Sequence, residues 1–71
     1  MNHFTSDTVT VRRACDGAYM ASERGDLIVC RACLHTALSA TRRLAAAGKL
    51  EADLRAEVNE TFAALAAKGW L

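Results

Sequence analysis

The sequence predicts an α+β domain: a small N-terminal β-hairpin, or three-strand meander, packed on a C-terminal antiparallel α-hairpin and stapled by zinc. Three observations lead there. Residues 8–14, TVTVRRA, alternate apolar and polar side chains as a half-buried strand does. From residue 31 the apolar positions recur at three and four, the period of a helix. At the boundary stand three cysteines in the pattern Cys15-x14-Cys30-x2-Cys33. The staple is expected because a chain of 71 residues buries only about 60% of its unfolded surface and usually needs a metal, disulfides or a second copy.

The elements follow in order. Residues 1–7 are polar and read as a flexible arm before a single domain, 8–71. In residues 8–14, Val9 and Val11 share one face and Thr8, Thr10 and Arg12 the other. Asp16-Gly17 and Glu23-Arg24-Gly25 are turn candidates. A type I′ turn at Asp16-Gly17 makes 18–22 a middle strand; a turn at 23–25 alone makes 12–30 one long hairpin. The apolar run Leu27-Ile28-Val29, within 26–30, is the next strand. The hairpin is the preferred arrangement because it brings Cys15 beside Cys33. Residues 8–30 then form a hairpin and zinc knuckle.

The first helix spans 31–47, with Leu34, Ala37, Leu38, Thr41, Leu44 and Ala45 along one side and Gly48 to terminate it. The second spans 50–68, with Leu50, Leu54, Val58, Phe62 and Leu65 as its stripe. Glu51 and Asp53 lead it and Lys68 closes it, both matching the helix dipole. A short connection at Gly48 makes the helices antiparallel neighbours. Their many alanines allow close backbone approach, in the hairpin or in a homodimer.

The chemistry is sought at the boundary. A C-x2-C pair between a strand and a helix presents two thiolates to one ion, and Cys15 supplies a third. The metal expectation is therefore Zn²⁺ on Cys15, Cys30, Cys33 and His35, with His3 or Asp16 as alternatives for the fourth position. Residues 15–36 resemble treble-clef and ribbon zinc modules in a general way. Strand, C-x-x-C, helix is also the thioredoxin order, but the chain contains no proline, and that fold sets a cis-proline against its dithiol. Core filling by three small apolar thiols is the remaining alternative.

Composition narrows the function. The chain is 52% apolar with a net charge of +1, too apolar for a disordered segment and too balanced for global attraction to nucleic acid or anionic lipid. The start, MNHFTSDTVT, lacks the basic and apolar regions of a signal peptide, and no apolar run approaches the roughly 20 residues of a membrane span. The odd number of cysteines fits a reducing compartment. A cytoplasmic protein with no membrane partner is expected. No nucleophile–base pair or glycine-rich phosphate loop stands out, so no enzyme is expected.

The functional expectation is a small, non-enzymatic, zinc-binding interaction module, a regulator or inhibitor of a larger protein partner. Its contacts would be Arg31, Arg42, Arg43 and Trp70, with Trp70 either an exposed anchor or the last core residue. The alternative is a nucleic-acid-binding transcriptional regulator using Arg12, Arg13, Arg31, Arg42 and Arg43 as a basic face.

Overall fold

The computed structural model describes residues 3–71, with side chains from residue 6 onward. It consists of α1 (His3–Glu23), α2 (Leu27–Ala46) and α3 (Ala52–Ala67), with no strand among the described residues. The expected α+β fold with an N-terminal hairpin is thereby overturned. Residues 3–7, expected as part of an arm, are the first turns of α1.

A longer period defeats the short alternation. Val9 and Val11 alternate over only a few residues. Val11, Ala14, Cys15, Ala18, Ala21 and Ser22 recur at three and four over most of α1, and all six are buried. That is the apolar stripe of a helix. The β-branched residues here have modest helix propensity, and local bonds accommodate them: the Thr10 hydroxyl donates to the Ser6 carbonyl at 2.9 Å. Gly17, expected in a turn, sits mid-helix where α1 meets α2. An added Cβ there would stand 3.0 Å from the Cys33 sulfur, so glycine permits the approach.

The run Leu27-Ile28-Val29 is also helical. Asp26 caps α2, its carboxylate accepting from the Val29 N–H at 3.1 Å. All three residues are at least 39% exposed, which a core strand would not leave them.

Every helix ends the same way. The Gly69 N–H donates to Ala66 O at 3.0 Å and the Trp70 N–H to Leu65 O at 2.9 Å. Gly69 has φ of 80°, the left-handed position of a Schellman motif. Gly25 and Gly48 end α1 and α2 with the same paired bonds. Asp26 closes α1 with its N–H and starts α2 with its side chain, so the first connection is very short.

The three helices run up, down, up. Arg43 near the end of α2 grips Asp7 near the start of α1, with Nη2 at 2.9 Å from Oδ1. Lys68, just after α3, donates to the Ser22 hydroxyl near the end of α1 at 3.2 Å and lies 4.0 Å from the Tyr19 ring centroid. α1 is the central element and packs on both others, while α2 and α3 meet more loosely. One core cluster joins Val11, Leu44, Leu54 and Val58; the other joins Ala18, Cys30, Leu34 and Leu65, with Phe62 packed against both and Trp70 against the second. Small residues on α1 admit α2 closely. Leucines and Phe62 on the α2–α3 side hold those helices apart, which leaves a groove.

Candidate functional site

The side chains expected to share a zinc ion are dispersed. Cys15 is buried among Val11, Leu44 and Leu54, at the base of the cleft between α1 and α3. Cys30 is fully buried among Ala18, Ala21 and Leu65. Cys33 looks toward Gly17 in the α1–α2 groove. His35 is exposed and lines the groove between α2 and α3; on one helix it stands about 200° around from Cys33. Asp16 is exposed beside Cys15 in the α1–α3 cleft. The side chain of His3 lies outside the described residues. Among the described residues, no three His, Cys, Asp or Glu side chains are grouped to hold a metal ion. The zinc-finger-like description is corrected accordingly: it required a strand and a turn at Cys30, and the chain there is helix.

The cysteines are free, and two of them act as small apolar packing groups. Burial pushes the Cys15 thiol above its ordinary value, a hydrogen bond with Thr61 opposes this, and the nearby charges of Asp16 and Glu57 add to the rise. That direction disfavours the thiolate.

The arginines face different surfaces. Arg12 lines the α1–α3 cleft and pairs with Glu57 at 3.1 Å. Arg13 lines the α1–α2 groove. Arg43 is engaged by Asp7, whose hydrogen bond and charge raise its pKa. Arg31 and Arg42 are exposed and have no ion-pair partner among the described residues.

Two concavities merit comparison. The α1–α3 cleft, about 440 Å³, has the size of a small-ligand site. Its walls are charged and the Arg12–Glu57 bridge ties them together. Among the described residues, no buried side-chain nitrogen or oxygen lacks a hydrogen-bond partner, so no orphaned polar group there awaits a ligand.

The α2–α3 groove is smaller, about 250 Å³, and mostly apolar: Leu34 and Leu38 form one wall, Phe62, Trp70 and Leu71 the other, and Arg31 and His35 stand on the rim. Trp70 is placed by the Schellman turn at Gly69, which sets it against the core cluster that contains Leu65. It is half-buried, both a core contact and a groove wall. Leu71 is 61% exposed, and Ile28, one turn before Arg31 on α2, is 83% exposed. Of the partner contacts expected from sequence, the structure brings Arg31 and Trp70 together here and ties Arg43 to Asp7. Leu38, Phe62, His35 and Leu71 also line this groove and were not among the contacts expected from sequence. For His35 and Leu38 the signal was present in the spacing 31, 35, 38, 42, which places these positions along one side of a helix.

No known protein family, curated protein or solved structure matches the chain. No helix of the described residues is long and apolar enough to cross a membrane.

Proposed function

We propose that the chain is a small, non-enzymatic helical module that binds a partner protein through the α2–α3 groove and acts by occupying part of that larger partner. One observation carries this reading: an apolar groove with an aromatic wall, flanked by the highly exposed Ile28 and Leu71. Exposed apolar surface of this kind costs solubility and commonly marks an interaction site, and buried aromatics supply much of the energy of such contacts. The groove is below the roughly 300 Å³ at which pockets for drug-sized ligands begin. It suits one or two side chains of a longer segment. The raised Cys15 thiol supports a packing role for that cysteine over a nucleophilic one.

The test is photo-cross-linking in the native host. A cross-linker at Leu71 or Ile28 should capture one recurring protein, and a cross-linker at the exposed Asp16 in the α1–α3 cleft should not. The purified partner should then bind the purified chain, and Leu71→Ser should weaken that complex. Equal capture from Asp16, or binding indifferent to Leu71→Ser, counts against the groove.

A further inference from the structure

The groove is apolar within and basic along one side. α2 carries Arg31, Arg42 and Arg43 and no Asp or Glu. Arg43 is held by Asp7, whereas Arg31 and Arg42 stand without an ion-pair partner among the described residues. Positions 31, 35, 38 and 42 follow one another at four, three and four, so the two arginines and His35 run beside Leu38 for three turns of helix. This basic row stands on a chain whose net charge is only +1, so it is a local arrangement.

Resting on the reading of the groove as a protein-binding site, we propose that its occupant is an amphipathic segment with acidic side chains: large apolar residues seat between Leu38, Phe62 and Trp70, and carboxylates meet Arg31 and Arg42. Two features favour this occupant over the others. A second copy docking groove to groove would offer the arginines few carboxylates, because Glu57 and Glu60 of α3 line the α1–α3 cleft instead. A lipid surface is met by protruding apolar side chains; Ile28 and Leu71 protrude, but Leu34, Phe62 and Trp70, which form the groove, are recessed between helices where a flat surface does not reach them. An acidic amphipathic helix matches both the shape and the charge of the groove.

The experiment uses the full chain and two fluorescein-labelled synthetic peptides. Both carry leucines at helical spacing; one is flanked by glutamates, the other by lysines. Binding is read by fluorescence anisotropy at about 50 mM and about 300 mM salt. The glutamate peptide should bind at least about tenfold more tightly than the lysine peptide and weaken with salt. The variant R31E/R42E should reverse that preference. Both arginines are exposed, and circular dichroism will verify that the variant keeps its helices. Equal binding of the two peptides, unchanged by R31E/R42E, overturns the acidic chemistry and leaves the apolar groove standing. Failure of both peptides, with a dimer in sedimentation equilibrium that Leu71→Asp dissociates, overturns the partner-binding reading as well. Failure of both with tight binding to phosphatidylglycerol vesicles does the same in favour of a membrane surface. Failure of both with neither of those results also overturns the proposal.

Discussion

Gly69 tests the local logic that puts Trp70 at the groove. It sits at φ of 80°, exposed, with no heavy atom within 4 Å of where a Cβ would stand. Substitution by alanine therefore costs conformation and no collision. Holding an L-residue in the left-handed region costs about 1–2 kcal/mol. A domain of this length is stable by about 4–11 kcal/mol at the usual yield per residue, so the loss is a large share. At about 4–8 °C per kcal/mol for domains of this size, Gly69→Ala should lower Tm by about 4–16 °C in a circular-dichroism melt. Trp70 should become more exposed, with red-shifted emission, because its N–H bond to Leu65 O depends on that turn. The chain is short enough for chemical synthesis, which permits D-alanine at the same position. D-alanine favours positive φ and restricts the unfolded chain, so it should stabilise by about 0.4–1 kcal/mol. Opposite signs for the two enantiomers are the expected result. Equal effects, or a neutral L-alanine, would refute the assignment of Gly69 as a left-handed helix stop.

Gly17→Ala should be neutral or destabilising, because its Cβ would crowd the Cys33 sulfur at 3.0 Å. In a Cys33→Ala background the same change should stabilise by up to about 1 kcal/mol through helix propensity, and the coupling is read from a double-mutant cycle of denaturant melts. Leu44 is fully buried where the three helices meet, so Leu44→Ala should cost about 2–5 kcal/mol and leave the domain near its unfolding threshold at room temperature. Cys15 should give an alkaline limb to stability. Burial raises its thiol above the ordinary 9.0, so the folded state holds that proton more firmly than the unfolded chain. The contribution is intact below pH 9.0 and is lost as pH rises through the folded value. Denaturant titrations above that pH should show a shallower decline in Cys15→Ala than in the parent chain.

Much of the C-terminal half was legible. Leu34, Leu44, Leu54, Val58 and Leu65 stand at helical spacing, and all are buried. Gly48 and Gly69 marked the ends of α2 and α3 because only glycine takes the left-handed position cheaply. The N-terminal half was misread for definite reasons. Its buried face is mostly alanine, cysteine and one valine, residues too small to advertise a stripe, so the four-residue alternation around Val9 and Val11 looked stronger than it was. Asp16-Gly17 has the composition of a turn, yet Gly17 serves close packing against α2. Leu27-Ile28-Val29 has the composition of a strand, yet Asp26 before it was also a helix cap. With the hairpin gone, the three cysteines lost the geometry that gathered them. The groove was only half legible: Arg31 and Trp70 were expected as contacts, but the splay of α2 from α3 depends on packing against α1, which no local spacing reports.

The groove itself can be mapped residue by residue. Backbone amide NMR of the isotopically labelled chain, titrated with the glutamate-flanked peptide, reports where the peptide sits. The expected result is shifts concentrated at Arg31, His35, Leu38, Phe62, Trp70 and Leu71, with Arg12, Glu57 and Glu60 in the α1–α3 cleft unmoved. Shifts centred on that cleft, or spread evenly over all three helices, would contradict the assignment of the α2–α3 groove as the binding site.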